Sequence, residues 1–161
     1  MASGTAAWQA SAQTVEPSVA GSLDPAAAFA AYGHALASLA GWALLVLVVI
    51  VLTVVNRPRE RTPSGHAVRD YTDRGYRASR ALGNALEVSG PFVAATVAAI
   101  LVGAPPFWVN LLASVFLAAR VAMVAVHVGT ENQPARSAAW AVGLVCVIGL
   151  AIMALVGAFA A

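Results

Sequence analysis

The chain has 161 residues, of which 60% are hydrophobic and only 10% are charged. A soluble domain of this size carries about 25% charged residues, so the composition excludes an ordinary soluble domain and predicts a single-domain integral membrane protein. The formal net charge of +2 comes from nine basic residues, all arginine, and 7 acids. Most of the arginines are clustered, so the positive charge is not evidence of nucleic-acid binding. One cysteine, Cys146, excludes an internal disulfide, and no metal site is predicted.

The first segment, residues 1–24, is rich in small and polar residues and has no basic residue. A secretory signal begins with positive charge followed by an apolar core, and neither is present. The sequence therefore predicts a flexible, non-cytoplasmic tail over 1–24, followed by a transmembrane domain over 25–161.

The first membrane span is predicted over residues 30–55, because Leu36 to Val55 supplies the roughly 20 apolar residues that a span requires. The following segment, 56–75, contains five arginines together with prolines and glycines that break helices. Arginine-rich loops lie on the cytoplasmic side of a membrane. We therefore expect this segment to be a cytoplasmic loop.

The next 32 residues, Val88 to Ala119, contain no charge, which is too long for one span and too short for two. Gly103-Ala-Pro105-Pro106 near its middle predicts a tight turn between two helices, and each helix must extend into its charged flank. A short polar loop, 129–135, precedes the last apolar run. The predicted fold is therefore an all-α bundle of four spans with both termini on the non-cytoplasmic side, and the remaining three spans are 75–102, 106–128 and 136–159.

A polar stripe runs along the predicted second helix. Arg77, Arg80, Asn84 and Glu87 are followed by Pro91 at steps of three, four, three and four residues, a spacing that puts all five on one helical face. Polar residues inside a membrane are costly and need a function or a partner. The stripe is therefore the first candidate site.

Two opposite charges are expected at a similar depth in the membrane. Glu87 lies about 11 residues, or ~16 Å, into the second helix, and Arg120 lies about nine residues, or ~14 Å, before the end of the third. Because an isolated charge in lipid is unfavourable, the sequence predicts an ion pair between Glu87 and Arg120, within one subunit or across an interface.

The ordered pattern RxxRAxxNxxExxxPF, from Arg77 to Phe92, resembles the second-helix signature of the MAPEG family, the membrane-associated proteins in eicosanoid and glutathione metabolism. Arg120 and the segment Val128 to Trp140, VGTENQPARSAAW, resemble the end of that family's third helix and the loop after it. The resemblance extends from about Ala35 to the C-terminus. The arginine-only basic residues and the abundance of Ala and Val favour a bacterial-type member in the inner membrane.

This resemblance implies a homotrimer in contact with membrane lipids, with glutathione bound at the subunit interfaces in sites that open to the cytoplasm. It implies a glutathione-dependent transferase or peroxidase that acts on a lipophilic small molecule. Arg136 matches the arginine that stabilises the glutathione thiolate. The residues expected to bind glutathione are Arg77, Arg80, Asn84, Glu87, Arg120 and His127.

The pattern departs from active family members at three positions. Members commonly carry tyrosine where this chain has His127, an aromatic residue or histidine where it has Met123, and in some cases tyrosine where it has Trp140. Met123 and Trp140 offer no acidic hydroxyl. These departures motivate an alternative, a non-catalytic scaffold or an accessory subunit of a larger membrane complex.

The polar residues also have simpler interpretations. Arg77, Arg80 and Arg136 are typical of arginines that extend to lipid headgroups at a cytoplasmic boundary, and Asn84 and Glu87 are compatible with a polar brace between helices. A channel or transporter is the least favoured function, because the spans have no mirrored breaks and no polar stripe of full depth.

Overall fold

Four long helices account for most of the chain, and each corresponds to one apolar run of the sequence. The computed structural model describes residues 29–160, of which 31–160 form one compact unit. The predicted tail over 1–24 lies outside the described residues. The helices are α1 (Gly33–Val55), α2 (Arg74–Leu101), α3 (Pro106–Gly129) and α4 (Gln133–Ala160).

All four helices are long and apolar enough to cross a membrane. With the exposed leucines, valines and isoleucines along their outer faces, they form an integral multi-pass membrane bundle, which confirms the predicted all-α fold. Residues 56–73 and 130–132 connect the helices at one end of the bundle, which we name the loop end. Residues 102–105 connect α2 to α3 at the opposite end, which we name the turn end.

The last helix begins earlier than its sequence suggests. We expected a polar loop up to residue 135, but α4 begins at Gln133. The reason is a cap: the Asn132 side-chain oxygen accepts a hydrogen bond from the Ala135 N–H (3.1 Å), and the Arg136 N–H donates to the Asn132 carbonyl (3.2 Å). Asparagine is a preferred N-cap and proline is favoured in the first turn, so Asn132 and Pro134 start the helix directly after α3.

The tight turn between α2 and α3 is closed by side chains of neighbouring helices. Gly103 has a φ of +67°, a left-handed conformation that favours glycine. The Tyr32 hydroxyl donates to the Ala104 carbonyl (2.7 Å), and the Asn110 side chain accepts from the Ala35 N–H (2.9 Å). These bonds tie the turn end to the start of α1.

An aromatic cluster fills the centre of the bundle. The rings of Phe92 and Phe116 stack with centroids 3.8 Å apart, and Trp42 packs edge-on against both. The Trp42 indole N–H donates to the Ser89 hydroxyl (3.1 Å), which satisfies its polar group inside an apolar core. This cluster joins α1, α2 and α3 and lies below the polar residues of the loop end.

The connection between α1 and α2 is held against the start of α2. Asp73 caps α2: its carboxylate accepts from the Arg59 N–H (2.9 Å) and the Gly75 N–H (3.0 Å). These donors hold the pKa of Asp73 below its ordinary value. Gly75 lies so close to the backbone of Arg57 and Pro58 that a β-carbon there would meet it at 2.4–2.5 Å. The loop is therefore an ordered wall at this end of the bundle.

Candidate functional site

A polar cleft of about 210 Å³ opens between α2, α3 and α4 at the loop end. Polar and aromatic side chains dominate its lining, although the helices around it are apolar. Its lining residues are Tyr71, Arg80, Asn84, Met123, His127, Arg136, Ser137 and Trp140.

The α2 stripe supplies one side of the cleft and continues beyond it. A second cavity of about 160 Å³ adjoins the first and shares Asn84 and Trp140 with it. Arg80 and Asn84 line the first cavity, whereas Asn84, Glu87 and Pro91 line the second. The spacing of the sequence thus places four polar-stripe positions along one groove that descends from the loop end into the bundle.

His127 brings a buried polar group to the cleft. Its side chain is 2% exposed, and neither ring nitrogen has a hydrogen-bond partner among residues 29–160. A buried polar side chain is nearly always hydrogen-bonded. An imidazole that lines a cleft with both nitrogens free is suited to accept from, or donate to, a bound polar molecule.

Arg136 faces the cleft from the first turns of α4, and its guanidinium lies over the ring of Tyr71, with the carbon 5.2 Å from the ring centroid. Tyr71 belongs to the α1–α2 loop, so the cleft includes a loop side chain as well as helical ones. The Tyr71 ring packs edge-on against Tyr76, with centroids 5.1 Å apart.

Glu87 and Arg120, for which the sequence predicts an ion pair, both line the second cavity. They form no ion pair within the described part of the chain, so the prediction of a pair within one subunit is wrong. Arg120 is 1% exposed; its guanidinium packs on the Phe116 ring at 5.2 Å and donates to the Met123 sulfur at 3.4 Å. Glu87 is exposed at the surface of α2. Aromatic and thioether packing, rather than a carboxylate, therefore accompanies the buried arginine.

Arg77 has a different environment from its neighbours in the stripe. Its guanidinium donates to the carbonyls of Tyr71 (2.6 Å), Thr72 (3.1 Å) and Val128 (3.4 Å), and it lies 3.8 Å from the Glu131 carboxylate. It does not line the cleft. These contacts connect the loop before α2 to the end of α3, so Arg77 acts as a brace between these two segments.

The charges around the cleft favour an anionic ligand. Arg80 and Arg136 line it, no carboxylate does, and neither arginine forms an ion pair with a described residue. Guanidinium groups bind carboxylates with two parallel hydrogen bonds. The asparagine amide, the serine hydroxyl and the imidazole add neutral donors and acceptors, a set that suits a small molecule with carboxylate and amide groups.

Two cleft residues were not among the sequence candidates. Tyr71 lies in a loop with no helical periodicity, so its spacing gave no signal. Ser137 directly follows Arg136 at the start of α4, where it reads as an ordinary residue of a helix end. Met123 and Trp140, which the sequence marked only as departures, also line the cleft.

Comparison with protein-family models gives one match, to the MAPEG family, over residues 33–156. Comparison with curated proteins gives no match. The matched region spans all four helices except the last residues of α4, and it includes every residue of both cavities. The chain therefore belongs to the MAPEG family, whose members include glutathione transferases and peroxidases and also non-catalytic proteins.

Proposed function

We propose that this protein is a glutathione-dependent membrane transferase or peroxidase that acts on a lipophilic electrophile. The observation that carries the proposal is the polar cleft. It combines two arginines that form no ion pair within residues 29–160 with a buried histidine whose ring nitrogens have no hydrogen-bond partner in that range. Glutathione has two carboxylates, an ammonium and two peptide groups. The residues of the cleft fit this donor and acceptor set.

Each side chain has a definite part in this proposal. Arg80 binds a carboxylate and Asn84 serves a peptide group. Glu87, which lines the adjoining second cavity, accepts from the ammonium. His127 completes the hydrogen bonds within the cleft. Glutathione supplies a thiolate nucleophile, and the Arg136 guanidinium lowers the free energy of that thiolate.

The deeper cavity suits the second substrate. Besides Glu87 and Arg120, it is lined by the apolar side chains of Val88, Leu144 and Val147. An electrophile dissolved in the bilayer reaches this depth without crossing water, whereas glutathione enters from the aqueous loop end. The shared wall at Asn84 and Trp140 supports binding of the two substrates side by side.

The size of the cleft supports a site completed by a second copy of the chain. About 210 Å³ is below the ~300–1,000 Å³ of typical ligand sites. The groove is open at the bundle surface, where Arg80, Glu87 and Trp140 are exposed. We therefore propose a homotrimer in which a neighbouring subunit covers the groove, in a bacterial inner membrane with the loop end toward the cytoplasm.

One observation favours a second candidate function. Met123 and Trp140 line the cleft at positions where active members carry side chains able to polarise a thiol. A protein with the same fold and ligand cleft but without turnover would be an accessory subunit of a larger membrane complex.

Glutathione binding by the purified, detergent-solubilised protein tests the proposal. Calorimetric titration should give saturable binding at millimolar glutathione or below, and Arg80→Ala should weaken it roughly 10- to 100-fold, since a hydrogen bond to a charged group contributes about 1.5–3 kcal/mol. Glu87→Gln should weaken binding by a smaller factor. Arg74→Ala is the matched control, because Arg74 is an exposed arginine of the same helix outside the cleft.

Absence of saturable binding at millimolar glutathione, or an equal loss in the Arg74 and Arg80 variants, would contradict the proposal. Turnover separates the two candidate functions. Conjugation or peroxidase activity by the isolated protein supports the enzyme. Binding without activity, together with co-purification of a larger complex, supports the accessory subunit.

A further inference from the structure

Tyr71 is the one side chain of the α1–α2 loop that lines the polar cleft. Other residues of this loop, among them Arg57, Arg61 and His66, line a different pocket. Its ring packs edge-on against Tyr76, and its backbone is held by a short hydrogen bond from the Arg77 guanidinium to the Tyr71 carbonyl (2.6 Å). Tyr71 is therefore held in place independently of any ligand.

Arg136 lies with its guanidinium over this ring. Its half-buried guanidinium has no hydrogen bond and no ion pair with any residue in the described range 29–160, whereas its central carbon lies 5.2 Å from the Tyr71 ring centroid. An arginine over an aromatic face is attracted by the electrons of the ring, and the attraction is stronger where the pair is shielded from water. The flexible Arg136 side chain otherwise has many rotamers available to it.

We propose that Tyr71 is a positioning residue for Arg136: the loop tyrosine holds the guanidinium at the cleft by a cation–π contact. The effect of this contact on a bound thiolate rests on the proposed function. The contact itself does not. In the free protein, it makes the α1–α2 loop a functional part of the site and not only a connection between helices.

The ring, and not the hydroxyl, carries this role. The cation–π attraction arises from the ring face, and phenylalanine presents the same face without the hydroxyl. Tyr71→Phe should therefore behave like the wild type, while Tyr71→Leu should lose the contact at similar volume. Arg69 lies over the same ring at 5.9 Å but does not line the cleft, so Arg69→Ala is a matched control for removing a guanidinium from Tyr71.

Side-chain NMR of arginine tests the contact without glutathione. In protein labelled with ¹⁵N-arginine, the Nε–H signal that disappears in Arg136→Lys should show an upfield ring-current shift. This shift should persist in Tyr71→Phe and in Arg69→Ala and should vanish in Tyr71→Leu. An Arg136 signal with no ring-current shift in the wild type, or an unchanged one in Tyr71→Leu, would overturn the inference.

The second readout is the pKa of the glutathione thiol in the complex, followed by the ultraviolet absorbance of the thiolate. In Tyr71→Leu it should rise by about half a unit or more, which corresponds to roughly 0.7 kcal/mol of thiolate stabilisation, and kcat should fall more than KM rises. Tyr71→Phe should restore both values. Equal defects in Tyr71→Phe and Tyr71→Leu would assign the effect to the hydroxyl and overturn the proposal.

The two proposals fail in distinguishable ways. If the wild-type protein binds no glutathione but the Arg136 signal behaves as expected, the proposed function fails and the positioning contact stands. If glutathione binds normally and the thiol pKa is the same in Tyr71→Leu and the wild type, the positioning role fails and the proposed function stands.

Discussion

Arg77 and Arg80 lie one turn apart on α2, yet their surroundings differ. Arg77 is buried and donates to three backbone carbonyls, whereas Arg80 is exposed on the wall of the cleft. Position along the helix decides this difference, because Arg77 is close enough to the loop end to reach the carbonyls of Tyr71 and Thr72. The spacing of polar residues is therefore sufficient to predict which helical face they share, but not which groups each of them contacts.

At this scale the sequence predicted which α2 side chains share one wall of the cleft, but it gave no signal for Tyr71 in the loop. The steps from Arg80 to Asn84 and Glu87 follow from helical geometry alone. The position of Tyr71 depends on how an 18-residue connection packs, which no periodicity encodes. The expected Glu87–Arg120 pair failed within the chain for another reason: depth fixes how far each charge lies in the membrane, but not the direction of its side chain around the helix.

Asp73 gives a prediction at the residue scale. Asp73→Ala removes the acceptor of two backbone N–H groups and should lower the melting temperature at neutral pH by roughly 2–4 °C. Asp70→Ala should have a smaller effect, because Asp70 is exposed and accepts only from Thr72 within the loop. Thermal unfolding of the solubilised variants measures both.

The difference in melting temperature between the wild type and Asp73→Ala should depend on pH in a definite direction. The folded pKa of Asp73 lies below the ordinary value of 3.8, so the carboxylate stabilises the fold fully above that value and loses this contribution as the pH falls through the folded pKa. The gap between wild type and Asp73→Ala should therefore be constant from neutral pH to about pH 4 and should narrow at lower pH. A gap that widens on acidification would contradict the capping role.

At the scale of elements, α2 has a different neighbour on each side. One side packs into the core through Ala78, Ala81 and Ala85, and the polar stripe forms the groove with α3 and α4. Small residues on the packed side let the helices approach closely, as is usual where lipid provides no hydrophobic driving force between helices. The loop before α2 packs against Gly75 and contributes Tyr71 to the lining of the cleft.

Two glycine substitutions on α2 test this arrangement. Gly75→Ala should be strongly destabilising, with a fall in melting temperature of more than about 4 °C, because its β-carbon would meet the backbone of Arg57 and Pro58. Gly83→Ala is the control on the same helix: open space surrounds Gly83, and alanine is favoured in helices by about 0.5–1 kcal/mol over glycine.

Limited proteolysis with trypsin measures whether the α1–α2 loop loosens when its packing against Gly75 is lost. The loop arginines Arg59 and Arg61 should be cut faster in Gly75→Ala than in the wild type, and at an unchanged rate in Gly83→Ala. Equal stability and equal cleavage of both variants would show that the loop does not pack on α2 as described.

For the whole molecule, the sequence was sufficient for the fold because membrane spans are defined by length and apolarity. The pattern predicted four membrane-spanning helices, and the described part of the chain contains four. The turn at Gly103 and Pro105 also followed from local chemistry. Orientation and assembly are different: they depend on the membrane and on other copies of the chain, and they stay proposals.

The orientation of the bundle has a direct test. Cys146 is the only cysteine and is buried, so a Cys146→Ala background should accept single cysteines without interference. In whole cells, a membrane-impermeant maleimide should label Ala160→Cys at the turn end and should label Ser64→Cys at the loop end only after the membrane is permeabilised. The opposite pattern would place the cleft on the non-cytoplasmic side.

The central claim is that the cleft between α2, α3 and α4 binds glutathione. An experimental density map of the protein at millimolar glutathione tests it most directly. We predict density for a tripeptide between Arg80 and Arg136, in contact with Asn84 and His127, and its absence in a map of Arg80→Ala under the same conditions. A map that shows a lipid headgroup or only water in the cleft, with glutathione absent or bound elsewhere, would contradict the claim.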